Sequence, residues 1–398
     1  MSAPDRSDPR RQASRDRVIA VLRELGPLSR AAIVEHTALS RATVSSVVGE
    51  LKASGLVRED SQERVERGSQ GRTATLVRLD AAAGIAVGVD FGKQHLRVAV
   101  ADLGHRILAE RAVELPRDQA AEESIAAASG LVCEVLAEAR LSRDSIVGVG
   151  MGLPGPVDQN SGELGATTIL PAWRGVRAAE AMAESLGLPV RVDNDANLGV
   201  LGEWTWGAAT GTRNSTYLKL ATGIGAGLII DGRLFRGSAG MAGEIGHVII
   251  DPEGPLCRCG NRGCLEMLAG VPPLLDLLRP ALGDVTFKDV IELTRAGNAG
   301  CRRVITDAGV MIGMAVGSLC NLVNPERVVV GGDLAATGQV LIDGLRTGLA
   351  RAAIPPAAEI DVVTGVLGER AEVLGAVALA LRESGLGFAH AATSARAA

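Results

Sequence analysis

Residues 85–104, IAVGVDFGKQHLRVAVADLG, and residues 216–233, TYLKLATGIGAGLIIDGR, follow one pattern. In the first, the apolar run Ile85 to Val89 enters Asp90-Phe91-Gly92, and His95 to Ala101 leaves it for the turn Asp102-Leu103-Gly104. In the second, Thr216 to Leu220 enters the glycine-rich turn Ala221–Gly227, and Leu228 to Ile230 leaves it for Asp231-Gly232-Arg233. Such runs of apolar and β-branched residues broken by glycine predict β-hairpins. A third glycine turn, Gly331-Gly332-Asp333, follows the apolar run Arg327 to Val330. Glycine in turns is commonplace, so any single one says only that the chain bends there. Two matching hairpins about 130 residues apart say more. They predict an α/β protein of two duplicated lobes, with a cleft where Asp90, Gly92, Thr222, Gly223, Gly225, Gly331 and Gly332 could face a nucleotide phosphate.

The 398 residues are 47% hydrophobic and 22% charged, enough for two or three filled cores, which excludes disordered and fibrous classes. Aromatic residues are only 2%, so the cores are built from Ala, Val, Leu and Ile. Six cysteines are too few for a disulfide framework, and no apolar stretch follows the Arg-rich opening, so the expected compartment is the reducing cytoplasm. The stretch 308–325 is free of charge and reaches the lower limit of a membrane span. Gly309, Gly313 and Gly317 recur there every fourth residue, and two Asn close it. That pattern predicts a core helix packed closely on a neighbour, and no membrane partner.

Gly243-Glu244-Ile245-Gly246-His247 is followed by Cys257-Arg258-Cys259-Gly260-Asn261-Arg262-Gly263-Cys264-Leu265-Glu266. His247, Cys257, Cys259 and Cys264 form a full tetrahedral donor set, and a closed set is a structural zinc site. A labile disulfide or inert buried thiols are the competing explanations, and ligand type and spacing favour zinc. Cys133, Cys301 and Cys320 fall in apolar helical stretches and are expected in the core. The strand Val190 to Val192 delivers Asp193-Asn194-Asp195-Ala196-Asn197 at its end, where open α/β sheets bind ligands. A carboxylate there can take a proton from a substrate hydroxyl; a polar helix cap is the plainer role for any one of these residues. The loop Gly152-Leu153-Pro154-Gly155-Pro156-Val157-Asp158 could close on the same site.

Charge divides the chain. Residues 1–80 hold 14 Lys/Arg against 11 Asp/Glu, net +3, and the remainder 27 against 35, net −8. A basic head on an acidic body points to a nucleic-acid-facing segment. Residues 1–14 carry Pro4, Pro9 and alternating charges and are expected to be a disordered tail. Three helices are expected next: one from Arg15 to Gly26-Pro27, one over Arg30 to Thr37 capped by Ser29, and one from Ser40 to Gly55. Strands at 56–58 and 75–79 joined by a basic loop complete a winged helix-turn-helix. A small packing or dimerisation module would have the same elements. The third helix favours DNA, because Ser40, Arg41, Thr43, Ser45 and Ser46 could reach phosphates and base edges, with Arg64, Arg67 and Arg72 in the wing on phosphate or the minor groove.

Together these motifs resemble the ROK family of repressors and sugar kinases, in its repressor branch, over about residues 15 to 385. The resemblance rests on Gly152 to Asp158, Asp193 to Asn197, Glu244 to His247, Cys257 to Glu266 and Val328 to Asp333. It implies an actin-like (ribonuclease H-like) two-lobed fold after the winged helix. It also implies zinc at His247, Cys257, Cys259 and Cys264, and a sugar site at Gly152, Asn194, Asp195, Glu244, His247 and Glu266. Asp195 is the base in members that are kinases. The implied division is 15–80 for the winged helix, 81–200 for the first lobe, and 201–398 for the second lobe with the zinc site and a C-terminal helix returning to the first. Family kinases read Asp-x-Gly-Gly-Thr in the first hairpin, where Lys93 and Gln94 stand here. That departure puts ATP and magnesium in doubt and leaves the sugar motifs intact.

Three functions compete. The first is a sugar-responsive repressor, a homodimer or dimer of dimers on an inverted-repeat operator, answering to a sugar or sugar phosphate. The second is an ATP-dependent sugar kinase with an accessory DNA-binding head, which the altered hairpin speaks against. The third, a zinc-stabilised interaction protein, leaves the sugar motifs unexplained.

Overall fold

The computed structural model describes residues 9–53, 55–60, 75–80, 83–116, 119–158, 162–165 and 170–383. Its head comprises α1 (Pro9–Leu25), β1 (Leu28–Ser29), α2 (Arg30–Thr37), α3 (Arg41–Ala53), β2 (Val57–Asp60) and β3 (Leu76–Leu79). The strands form one sheet in the order β1-β3-β2. Ser29 accepts from the Ala32 amide, and Ser40 accepts from the Thr43 amide at 3.1 Å, so both serines cap the helices they precede. Strand β1 is an element the sequence did not announce. Ser29 must be extended to cap α2 (φ −70°, ψ 154°), and that conformation lets it pair with Leu76 of β3. Helix α1 begins inside the stretch 1–14 expected as a tail, and residues 1–8 lie outside the described residues.

The body repeats one sheet twice. The first lobe has β4 (Ile85–Phe91), β5 (His95–Asp102), β6 (Ile107–Glu114), α4 (Ala121–Glu138), β7 (Ile146–Leu153), α5 (Ala178–Leu186) and β8 (Val190–Asn194), followed by α6 (Asp195–Trp206). The second begins with β9 (Ser215–Leu220), β10 (Ile224–Ile230) and β11 (Arg233–Leu234). It continues through α7 (Leu265–Ala269), α8 (Val271–Leu282), α9 (Phe287–Arg295), α10 (Ala299–Val323), β12 (Arg327–Gly331), α11 (Gln339–Ala352), α12 (Pro355–Ala358), β13 (Asp361–Thr364) and α13 (Ala371–Glu383). The sheet orders are β6-β5-β4-β7-β8 and β11-β10-β9-β12-β13. In each, an antiparallel hairpin is extended on one side by two parallel strands. The protein is thus a winged helix joined to an actin-like two-lobed body.

Helices α6 and α13 pack between the sheets at backbone contact. A Cβ on Gly375 of α13 would fall 1.8 Å from the Leu198 carbonyl oxygen of α6, and one on Gly202 of α6 would fall 2.2 Å from that of Ala371. Helix α13 also lies on the first sheet, where Gly88 and Gly150 leave room for the Val373 and Ala376 carbonyls. A division after residue 200 would cut α6, which this packing makes part of the seam. One apolar cluster runs from Val18, Ile33 and Val48 of the head to Leu103, Val373 and Leu381 of the body.

Helix α10 is long and apolar enough to cross a membrane by length and composition, and half of its most apolar window is buried inside the protein. Its glycines face α11. Added Cβ atoms at Gly309 and Gly313 would lie 2.6 and 2.0 Å from the Leu341 and Leu345 carbonyls, and Gly344 and Gly348 answer from the other side. Gly313→Ala is expected to destabilise by about 1–3 kcal/mol, because the helices must separate and that outweighs the ~1 kcal/mol gained in helix propensity. Gly130→Ala on α4, where an added Cβ meets nothing within 4 Å, is expected to stabilise. Equal melting temperatures for the two variants would refute close packing as the reason for these glycines. Cys301 and Cys320 are buried in α10 as expected, and burial pushes the Cys320 thiol up to about 11. Cys133 is exposed on α4, because its position falls off that helix's apolar stripe.

Candidate functional site

A cleft of about 1440 Å³ takes its walls from both lobes, and Asp195, Glu244, His247 and Glu266 line it together with the hairpin tips. Gly92, Thr222, Gly223, Gly225, Gly331 and Gly332 all line it. At its apolar wall Trp173 packs edge-on against Phe91, with ring centroids 5.2 Å apart.

Asn194 sits where β8 passes into α6. Its side-chain oxygen accepts from the Ala196 and Asn197 amides, and its Nδ2 donates to the Gly155 carbonyl at 2.9 Å. It is therefore a helix cap that also ties down the Pro154–Pro156 loop while lining the cleft. Asp193 is buried, accepts from Asn197 Nδ2 and pairs with Arg236 at 2.6 Å. Asp195, the first residue of α6, presents its carboxylate to the cleft. Gly152 is not on the wall. It lies beneath, where an added Cβ would come 2.7 Å from Leu198 Cδ1 and 3.2 Å from Asp90 Oδ1, so its smallness serves the packing under the site.

The part of the cleft around Asp195, Glu244 and Glu266 is rich in carboxylates. Glu266 accepts from the Ile224 amide at 3.1 Å and pairs with Arg258 at 2.7 Å. Burial, and repulsion from Asp195 and Glu266, push Glu244 up to about 7 although Arg258 opposes the shift. Arg258 lies between two cysteines of the knuckle, and the sequence reading passed over it. Its place between Cys257 and Cys259, five residues before Gly263-Cys264, was the available signal.

His247, Cys257, Cys259 and Cys264 converge, their donor atoms all within 4.8 Å of one another. His247 Nδ1 is 3.5 Å from Cys257 Sγ, and the Cys259 and Cys264 sulfurs are 3.6 Å apart, too far for a disulfide. A tetrahedral site with metal–sulfur bonds of about 2.3 Å has sulfur–sulfur edges of about 3.8 Å, so the cluster fits a single ion. The turns that bring these residues together need glycine: Gly260 and Gly263 have φ of +93° and +60°, and a Cβ on Gly263 would overlap the Asp251 carbonyl. The other ring nitrogen, His247 Nε2, points to Glu244 at 3.9 Å.

At the hairpin end Asp90 is buried and does not reach the cleft wall. His95 Nε2 is 3.1 Å from its Oδ2, Arg97 is 3.9 Å away, and the His95 ring lies over Gly92. Burial opposes ionisation of Asp90, but the His95 bond and the Lys219, His95 and Arg97 charges outweigh it and hold its carboxyl below the usual range. Lys219 is one-fifth exposed, 2.9 Å from Asp195 Oδ2 and 3.2 Å from Glu372 Oε1. Burial disfavours its charge, yet Asp195, Glu372 and Asp90 together hold it well above an ordinary lysine. A lone lysine inside the apolar strand Thr216–Leu220 was the sequence signal for it.

On the head, α3 buries Val44, Val47, Val48 and Leu51 and exposes Arg41, Ser45 and Ser46. Ser40 is spent on its cap and is 2.8 Å from Thr43 Oγ1; Ser45 accepts from Arg30 at 2.8 Å, and Ser46 donates to Glu50. Arg30 thus joins the predicted face from α2. Among the described residues Arg41 has no ion pair or hydrogen-bond partner. Arg64, Arg67 and Arg72 lie outside the described residues.

A model described as the ROK family matches residues 86–383, and one described as the MarR family matches residues 17–68. The xylose repressor of Caldicellulosiruptor bescii is 29% identical over 375 residues, covering 89% of this chain and 92% of that protein. The crystal structure of a ROK family transcriptional regulator, a homologue of the Escherichia coli MLC protein, superposes with a TM-score of 0.82 at 25% identity, covering 96% of this chain and 98% of that one. A ROK family glucokinase from Streptomyces griseus, in complex with glucose and AMPPNP, superposes with a TM-score of 0.64 at 29% identity, covering 75% of this chain and 99% of that one.

Proposed function

The chain belongs to the ROK family, and from that premise we propose that it is a sugar-responsive transcriptional repressor. The winged helix binds operator DNA and the cleft between the lobes holds the effector. The observation that carries this most directly is the joining of a winged helix to a cleft lined by Asp195, Glu244, His247 and Glu266. Carboxylates accept from sugar hydroxyls with charge-assisted strength, and the buried Phe91–Trp173 pair makes the packing behind the wall apolar. Asn194 holds the loop that closes this end.

Zinc suits the Cys3His cluster, with His247, Cys257, Cys259 and Cys264 as ligands. When bound, it supplies a fixed cross-link with no open coordination position. His247, ligating through Nδ1, would keep its proton on Nε2 and donate towards Glu244 and the sugar. Arg258, carried on the same knuckle, orients Glu266. Ser40, Arg41, Thr43, Ser45 and Ser46 form the face presented to the major groove, and a two-fold pair of heads fits an inverted repeat.

The test is a thermal-shift screen of neutral sugars and sugar phosphates, since a ligand selective for the folded state raises the melting temperature. One class of sugar is expected to stabilise the wild type. Asp195→Asn is expected to bind it about 10–100-fold more weakly, the worth of one hydrogen bond to a charged acceptor. If no sugar shifts the wild type, the effector assignment fails. The kinase alternative draws on Asp195 and on the intact second hairpin; steady turnover of ATP with the identified sugar would promote it.

A further inference from the structure

Three elements meet at the Lys219 ammonium. Strand β9 delivers the lysine two residues before the second glycine turn, α6 brings Asp195 and α13 brings Glu372, while Asp90 of β4 lies near enough for its charge to act on the lysine without touching it. A phosphoryl-transfer centre needs three things at this junction: a free carboxylate to take the hydroxyl proton, an acidic group for a metal ion, and open glycine backbone for the phosphates. Each is already engaged from within. The Asp195 carboxylate accepts from Lys219 at 2.9 Å, and Glu372 accepts from Lys219 and, at 3.3 Å, from Tyr217. Asp90, shut off from the cleft, has His95 on Oδ2, and the same imidazole covers Gly92 at the tip where a phosphate would lie. Its second oxygen, Oδ1, is buried with no hydrogen-bond partner among the described residues.

We infer that Lys219 is a built-in cation standing where a nucleotide-bound metal ion would have to sit, so that it bars nucleotide from the cleft and leaves the sugar end open. A divalent ion needs carboxylate oxygens at about 2.1 Å, and an ammonium already within hydrogen-bond reach of those carboxylates repels it at short range. The cation is permanent because its carboxylate partners surround it. It also changes what Asp195 does: with one oxygen committed to Lys219, the residue serves as an acceptor for a sugar hydroxyl. Lys93 and Gln94 are then a second, separate obstacle, and restoring Gly and Thr at those positions alone leaves the centre filled. The inference rests on assigning Asp195 to the sugar end, but its test uses no sugar.

The experiment compares full-length wild type, Lys219→Met, Lys219→Arg and the Lys93→Gly/Gln94→Thr variant by thermal unfolding, with Mn²⁺ alone and with MgATP. Wild type, Lys219→Arg and Lys93→Gly/Gln94→Thr are expected to show no shift. Lys219→Met leaves carboxylates uncompensated and is expected to gain several degrees at saturating Mn²⁺, and to bind MgATP once combined with Lys93→Gly/Gln94→Thr. Should Lys219→Met not fold, Lys219→Gln keeps Asp195 and Glu372 and a polar end group without the charge, and is expected to respond to Mn²⁺ in the same way. The inference is overturned if the folded methionine or glutamine variants gain no response to Mn²⁺, if Lys219→Arg responds as they do, or if wild type binds MgATP as tightly as the triple variant. A wild type that ignores every sugar sinks the effector assignment and leaves these outcomes readable.

Discussion

Cys259→Ser is expected to lose the metal and, with it, on the order of 10 °C in melting temperature together with most of the sugar affinity. The loop from Cys257 to Cys264 contains no helix and is held by isolated bridges at Leu256–Arg262 and Ile249–Cys264 and by a few backbone hydrogen bonds centred on Gly263, to Ile250, Asp251 and Pro255. A metal cross-link would fix the shape that these few bonds begin. Two groups of the proposed sugar site depend on that shape: Arg258, paired with Glu266 at 2.7 Å, and His247, whose Nε2 faces Glu244. Elemental analysis of protein purified without chelator should give about one zinc per wild-type chain and none per variant chain. A Cys259→Ser protein that melts and binds sugar as the wild type does would remove the metal from the account. A strong chelator should reproduce the variant's behaviour, and added Zn²⁺ should reverse it in the wild type alone.

Arg41→Ala is expected to weaken specific operator binding about 10–100-fold, and to weaken binding to unrelated DNA much less if the guanidinium reads a base edge. Arg41 stands at the first position of α3, exposed beyond the Ser40 cap, where recognition helices reach into the groove. Ser45 and Ser46 are already bonded to Arg30 and Glu50, so single alanines there should cost less. Arg30→Ala is informative because it frees Ser45 and removes a cation at once. Binding of all sequences should fall steeply with salt, and a loss of one unit in the salt slope without loss of specificity would mark Arg41 as a phosphate contact. Unchanged operator affinity in Arg41→Ala would mean that α3 is not the reader.

The repeated hairpins, the cysteine knuckle and the α2–α3 pair were legible because each is local: turn glycines, caps and ligand spacing act over a few residues. The same locality explains Ser29, Ser40 and Asn194 as caps, and the glycines of α10 as a packing face. What the sequence could not weigh was competition for a side chain. Asn194 and Asp193 lie beside Asp195 in the chain, yet one is spent on a helix terminus and a loop, the other on Arg236 and Asn197. Gly152 belongs to a motif at the site but serves the space beneath it.

Family and fold class, through motif resemblance and the repeated hairpins, and the clustering of the Cys3His donors, through their spacing, are thus legible in the sequence by itself, since motifs and spacing survive without knowledge of contacts. The state of the nucleotide end was decided only by the tertiary structure. Lys219, Glu372, Asp90 and Asp195 are spread over nearly 300 residues, and no local rule relates them. They meet because the duplicated sheets place β4 and β9 on either side of the α6–α13 seam, where glycines let the helices and strands approach to backbone contact. A lysine in an apolar strand becomes an internal cation only when that closure brings carboxylates against it and leaves it largely buried, so that water screens them less.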